Sequence, residues 1–387
     1  MGLSLLRSLE RPGRTSLCLR RLHQRLLAWF DRHRRDLPWR RPAAQLDPYR
    51  IWLAETMLQQ TRVPVVLPYY RRFRRAFPTV RHLAAARLDR VLALWAGLGY
   101  YQRARNLHRA AQRIVRRHGG RFPQSLAAAL GLPGVGPYTA RAVLSIAYRE
   151  PLAVVDGNVA RVLARLFRLR LDDSQPARAR LQPLADRLLA PRRPGDYNQA
   201  LMELGSTLCL PKLPRCPACP LEHFCAARQA GIEHTWPARS RKTGRRPHRR
   251  LAVLVLHRPD ARPSGRLLLA REARGPFGGL WHFPYAKLDH HTVLPRTLQL
   301  FLRRRQARLL APRPCLRLRH PMTTGDLDLT VFLAVVQKDA SYEPYGRLGV
   351  PRPQTHPHER WVTPAQLKQM AVGAATRKIV AAVNLAI

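Results

Sequence analysis

Acidic side chains are what this chain has least of. Twenty-three Asp and Glu stand against 69 Lys and Arg in 387 residues, a formal charge of +46. Lysine is scarce too, with six in all and none before Lys212. Long apolar runs are missing. The longest, Leu251–Leu256 and Leu329–Val336, are strand-sized and far short of the roughly 18 residues of a membrane helix, which excludes a transmembrane protein. A secretory hydrophobic region is absent, and the six cysteines are not spread as a disulfide framework would spread them. Any carboxylate chemistry must come from a short list of residues.

What remains is a globular composition, 46% hydrophobic and 24% charged, long enough for two or three domains. Codon bias accounts for part of the arginine excess. The rest points to an acidic partner, most often nucleic acid.

Residues 1–20 hold arginines, serines and one acid, Glu10, and read as an N-terminal extension, a ragged bacterial start or a mitochondrial presequence. From 21 to 231 apolar residues recur at three and four, as in Val159, Val162, Leu163 and Leu166, and Pro and Gly break the pattern without strand alternation. An all-α domain is expected there. Residues 232–250, rich in arginine with two prolines and a glycine, read as a basic linker. From 251 to 387 short apolar runs at Leu251–Leu256, Arg266–Ala270 and Asp328–Val336, with helical stretches at Leu298–Leu310 and from Pro364, predict a small α+β domain.

Four stretches carry chemistry. Leu132-Pro-Gly-Val-Gly136 ahead of an apolar helix suits a tight hairpin whose backbone N–H groups hold a phosphate without reading the base; an ordinary helix turn has the same look. Asp156 and Asn158 sit where the next helix starts. Either can be a simple N-cap, and the helix dipole is expected to lower the pKa of Asp156 and keep it ionised beside a developing cation. Glu55 is the lone acid of Ile51–Thr61, with Trp52 and Gln59 on its helical face; burial would raise its pKa and suit it to general-acid work. Gln59 and Gln60 are long amides within reach of base edges. Last, Cys209-x6-Cys216-x2-Cys219-x5-Cys225 is a four-thiol set for zinc or a [4Fe–4S] cluster.

In that order these motifs resemble the endonuclease III superfamily of helix-hairpin-helix DNA glycosylases. Asp36–Arg40, Ala54–Arg62, Trp95–Asn106 and Tyr197–Ala200 resemble its adenine DNA glycosylase (MutY-type) branch. The resemblance covers 21–230 closely and 250–387 more loosely, where Gly275–Pro284 fits a Nudix-like module. It implies removal of adenine mispaired with 8-oxoguanine or guanine in double-stranded DNA, by a monomer carrying one [4Fe–4S] cluster on Cys209, Cys216, Cys219 and Cys225. It also implies work in a bacterial cytoplasm at the nucleoid, or in a mitochondrion or nucleus.

The residue roles follow from the same resemblance. Glu55 protonates adenine N7 and Asp156 stabilises the oxocarbenium ion, positioned by Tyr138 and Asn158. Trp39, Arg40, Leu58 and Gln199 line the base pocket, while Leu98, Gln60 and Tyr100 meet the opened duplex. Gly134, Val135 and Gly136, with Lys212 and Arg215, take phosphates. Bifunctional relatives place a Schiff-base lysine where Tyr138 stands, so base release without strand cleavage is implied. The alternative within the fold is an endonuclease III-like enzyme acting on oxidised pyrimidines. Two departures occur in the C-terminal region. No Glu-rich metal helix is present, so Mg²⁺ hydrolase chemistry is not expected. His320-Pro-Met322-Thr323-Thr324 stands where the family has Phe-Ser-His, leaving Thr323 for one hydrogen bond and implying weaker discrimination between 8-oxoguanine and guanine.

Overall fold

Leu19, Leu22, Leu26, Trp29 and Phe30 recur at helical spacing and bury one side of the first helix, α1 (Leu17–His33). The computed structural model describes residues 17–40, 47–170, 180–237, 247–259, 265–272, 275–288, 294–322, 325–336 and 358–383. Two compact units emerge: Met1–Ala85 with Asn106–Lys242, and Ala86–Arg105 with Thr243–Ile387.

The first unit is helical, as expected. The elements that carry its chemistry are α2 (Pro48–Leu58), α3 (Leu126–Leu130), α4 (Pro137–Ala147), α5 (Gly157–Leu166) and α6 (Pro194–Thr207). Asp47 caps α2 by accepting from the Tyr49 N–H, and Pro48 follows at the first helical turn. Every residue of α2 from Ile51 to Met57 is buried, so α2 is a core helix rather than a surface one. It packs against α4, while α1, α5 and α6 share a core that includes Phe30, Leu163, Leu201 and Leu204.

The second unit is built on an eight-stranded sheet, counted among the described residues. Its strands are β1 (His248–Arg258), β2 (Arg266–Arg271), β3 (Trp281–His282), β4 (Tyr285–Lys287), β5 (Ala307–Leu309), β6 (Leu316–Met322), β7 (Gly325–Val336) and β8 (His358–Val362). β1 runs parallel to β7 from His248↔Asp326 to His257↔Val335, and antiparallel to β2 and β4. Leu251, Val253 and Val255 face one side, against Ile379 of the helix Ala374–Ala382. Ala252, Leu254 and Leu256 face the other, against Leu298 and Leu302 of the helix Arg296–Arg303. A strand covered on both faces needs no polar alternation, which explains the unbroken apolar run.

Several boundaries differ from expectation. Helix α1 begins at Leu17, inside the expected extension; residues 1–16 lie outside the described residues. The expected helix Leu298–Leu310 stops at Arg303, because Gln306 turns the chain at φ 48° and Ala307–Leu309 pairs with β7. The linker is shorter than 232–250. Glu233 is buried on a bond from Arg228, the Trp236 indole donates to the Leu169 carbonyl, and β1 starts at His248. Residues 86–105, expected in the helical domain, group with the C-terminal residues instead.

Candidate active site

Glu55 is 6% exposed, near the end of the apolar α2. The Tyr138 hydroxyl, in the first turn of α4, donates to Glu55 Oε2 at 2.7 Å. Burial pushes the Glu55 carboxyl up to about 7; that hydrogen bond opposes the rise, the charge of Asp156 adds to it, and Arg40 opposes it. Burial and the same two carboxylates drive the Tyr138 phenol well above its ordinary range, so Tyr138 stays a neutral donor.

Asp156 is the N-cap of α5. Its carboxylate accepts from the Val159 N–H at 2.7 Å and from the Asn158 side-chain amide at 3.0 Å. The expected lowering of its pKa is not found. Burial raises it, and the bonds from Val159 and Asn158 only offset part of that rise. A dipole partial charge at a helix end is a smaller effect than removing a carboxylate from water. Asn158 is fixed from behind by Arg161, whose guanidinium donates to its side-chain oxygen at 2.9 Å. Gly205 of α6 lies against it so closely that a Cβ there would meet the Asn158 Cβ at 2.7 Å.

A second network adjoins this pair. Arg40 donates to Gln199 Oε1 at 3.1 Å and to Glu203 Oε2 at 2.8 Å, and Arg35 holds the other Glu203 oxygen at 2.5 Å. Burial alone would raise the Glu203 pKa, but Arg35 and Arg40 outweigh it and hold the carboxyl below its ordinary value. Trp39, 5% exposed, packs edge-on against Tyr70. Trp39, Arg40 and Gln199 share a cavity of about 290 Å³ with Phe30 and several arginines, and Leu58 is not among its lining residues. Sequence reasoning passed over Glu203. The signal was available, since it is a lone acid in the apolar run Ala200–Gly205, the same argument that singled out Glu55.

The hairpin forms between α3 and α4. Ser125 caps α3 by accepting from the Ala128 N–H. Gly134 adopts φ +75°, and a Cβ there would meet Asn106 at 2.6 Å, so no other residue fits without strain. Val135 departs from the expected role. Its N–H already donates to the Leu132 carbonyl at 3.1 Å and its side chain is buried, while the Gly136 Cα faces open space. Gln59 is likewise turned inward, its amide 3.3 Å from Thr139 Oγ1, whereas Gln60 is exposed at φ 58°.

Cys209, Cys219 and Cys225 rest against one core cluster, and Cys219 feels the charge of the other three thiols. The buried Arg165 of α5 organises this loop, donating to the Leu210 carbonyl at 2.7 Å, the Pro211 carbonyl at 3.1 Å and Cys209 Sγ at 3.2 Å. Among the described residues, no three cysteine, histidine or acid groups are gathered closely enough to hold a metal. The donor set is nonetheless one that suits iron: four soft thiols in one loop with a fixed cation beside them. Lys212 and Arg215 are exposed on the same loop.

In the second unit Leu98 is buried, and Tyr100 is 40% exposed at φ 49° with the Arg103 guanidinium 5.1 Å from its ring centre. Thr323 lies outside the described residues, between β6 and β7.

A buried acid near the end of one helix, an aspartate that caps the start of another and a glycine hairpin between them in the chain are the features of a helix-hairpin-helix base-excision enzyme. Residues 53–186 match the family described as HhH-GPD superfamily base excision DNA repair protein, and residues 252–382 match the NUDIX domain. An adenine DNA glycosylase of Homo sapiens is 36% identical over 92% of this chain and 72% of its own length. One from Mycobacterium tuberculosis is 44% identical over 53% of this chain and 67% of its own. A solved thermostable thymine-DNA glycosylase aligns with 55% of this chain and 97% of its own at 28% identity and TM-score 0.49. The chain belongs to the adenine DNA glycosylase family, whose members hydrolyse an N-glycosidic bond of DNA in base excision repair. Among the described residues, no helix is long and apolar enough to cross a membrane.

Proposed function

We propose that this chain is a monofunctional glycosylase releasing adenine opposite 8-oxoguanine or guanine in duplex DNA, with Glu55 as acid and Asp156 as electrostatic stabiliser. The 2.7 Å bond from Tyr138 to a Glu55 carboxyl poised near 7 carries this reading. At neutral pH a substantial share of Glu55 is protonated, which a general acid requires. The target base leaves the stack and enters the site. Glu55 passes its proton to adenine N7, and the electron pair of the C1′–N9 bond departs with the base. Asp156 faces the oxocarbenium ion, and a water oxygen adds to C1′ as its proton passes to the Glu55 carboxylate, which restores the acid. Asn158 and Tyr138 hold the two carboxylates in place.

Trp39, Arg40 and Gln199 line the base pocket in this scheme. Glu203 fixes Arg40 there. Gln60, Leu98 and Tyr100 address the opened duplex, and Thr323 the opposite 8-oxoguanine. Gly134, Gly136, Lys212 and Arg215 take phosphates; the Val135 N–H serves the turn itself. Cys209, Cys216, Cys219 and Cys225 hold one [4Fe–4S] cluster, which when bound supplies a rigid cross-link for the loop and no step of the hydrolysis. The enzyme acts as a monomer where double-stranded DNA resides, a bacterial nucleoid or a mitochondrion or nucleus.

The test is a single-turnover assay on duplexes carrying 8-oxoguanine:A, G:A or thymine glycol, read with and without alkali. Adenine-containing mispairs breaking only after alkali support the proposal. Breaks without alkali, or release of thymine glycol, replace it with an endonuclease III-like activity.

A further inference from the structure

Tyr100 stands on a loop of unusual backbone. Gly97 and Gly99 have φ 103° and 76°, and Tyr100 itself has φ 49°, a left-handed conformation that a bulky residue keeps only when its surroundings impose it. Part of that imposition is local. The Trp95 indole donates to the Gly99 carbonyl at 3.0 Å, and Arg103 reaches the same carbonyl at 3.3 Å while lying between the Trp95 and Tyr100 rings.

The rest comes from the C-terminal sheet. Arg271, at the end of β2, donates to Asp89 Oδ1 at 2.6 Å, and Asp89 lies in the first turn of the helix Leu88–Trp95 that leads into the loop. The same guanidinium donates to the Gly279 carbonyl at 3.0 Å. Past the loop, Arg105 donates to the Gly278 carbonyl at 3.0 Å, and the Tyr101 hydroxyl lies 3.4 Å from the Val372 carbonyl. Gly279 has φ +72°, and a Cβ there would overlap the Arg105 guanidinium. The turn Gly275–Leu280 therefore receives Arg105 after Tyr100, and Arg271 links that turn to the helix before it.

We propose that Arg271 is a positioning residue for Tyr100, so the C-terminal unit sets the side chain that enters the duplex as well as facing the opposite base. The proposal rests on the reading of Tyr100 as a residue that wedges into DNA. Arg271 touches neither DNA nor the target base; it acts through Asp89 and the Gly279 carbonyl.

The experiment compares Arg271→Ala, Asp89→Ala, Arg271→Lys, Tyr100→Ala and the double variant Arg271→Ala/Tyr100→Ala in the full-length protein. Two readouts are taken on an 8-oxoguanine-containing duplex. One is the single-turnover rate of adenine release. The other is the fluorescence of a 2-aminopurine placed beside the target, which rises as the stack opens. Thermal midpoints serve as the folding control, and Arg271→Lys, which keeps the charge, is the fallback should the alanine variant fold poorly.

The expected result is that Arg271→Ala and Asp89→Ala lose at least tenfold in rate and most of the fluorescence rise. Arg271→Lys should recover part of both. The double variant should be no slower than Tyr100→Ala alone, because Arg271 acts only through that ring. A normal signal from folded Arg271→Ala, with Tyr100→Ala impaired, overturns the positioning role. Multiplying losses in the double variant overturn it equally, since they mean independent action. If Tyr100→Ala itself is unimpaired, the wedge reading fails first and takes the positioning role with it.

Discussion

Tyr138 and Glu55 lie 83 residues apart in the chain, and the tyrosine hydroxyl donates to the glutamate carboxylate across 2.7 Å. The phenol stays protonated throughout the working range, so the bond is a permanent brake on the pKa rise that burial causes. The acid is held near neutrality by two opposed effects, and each can be removed separately.

The rate of adenine release should therefore fall as pH rises through about 7, where Glu55 loses its proton. Glu55→Gln should remove the release step while leaving duplex affinity within a fewfold. It should also stabilise the protein. A carboxyl whose folded pKa is raised disfavours folding once pH exceeds its unfolded value, so the variant gains over wild type between roughly pH 4.5 and 7 and keeps a gain of order 3 kcal/mol above that. Urea unfolding at pH 4 and pH 8 checks this; equal stability of the two proteins at pH 8 counts against a buried acid.

Tyr138→Phe and Asp156→Asn should move Glu55 in opposite directions. The first deletes a donor to the ionised form and raises the pKa. The second deletes a neighbouring negative charge and lowers it. Carbon-13 titration of the Glu55 carboxyl follows both without requiring turnover, and shifts of the same sign would falsify the arrangement.

Glu203→Gln should cost about 3–5 kcal/mol, because it leaves Arg35 and Arg40 without their shared buried partner. In the wild type part of this contribution belongs to a carboxyl with a lowered pKa, so that part is present above the ordinary glutamate range and is lost as pH falls below it. Guanidinium unfolding of both proteins across pH 3 to 7 should show the gap closing at the acid end.

Gly134→Ala places a methyl group against Asn106 and forces a side chain onto φ +75°. A loss of about 1–3 kcal/mol in stability is expected. Affinity for undamaged duplex should fall alongside it. Salt titration of binding checks the second effect, and an unchanged affinity would remove the hairpin from the phosphate contacts.

Cys219→Ser should lower bound iron and sulfide in the purified protein, and Arg165→Met should weaken retention of both without removing a ligand. Elemental analysis decides the first point, and zinc in place of iron overturns the cluster assignment.

Motifs that depend on local spacing were the legible ones. The glycine hairpin, the N-cap Asp156 and the acid in α2 all follow from helix periodicity and breakers read along the chain. What the sequence concealed depends on partners far away. The direction of the Asp156 shift needed to know how deeply α5 packs. The inward turn of Gln59 needed Thr139, and the spent N–H of Val135 needed the tightness of the turn. The association of residues 86–105 with the C-terminal sheet rests on Asp89–Arg271 and Arg105–Gly278, pairs with no periodic signature at either end.

Gly205 touches neither carboxylate, yet it is the empty place against which Asn158 rests. A methyl group added there must displace Asn158, and with it a hydrogen-bond donor to Asp156. A Gly-to-Ala allele at this position would look conservative in a genome and would leave every group proposed to touch DNA unchanged. With Asp156 in its proposed role, it would still slow adenine release, by loosening the carboxylate rather than removing it.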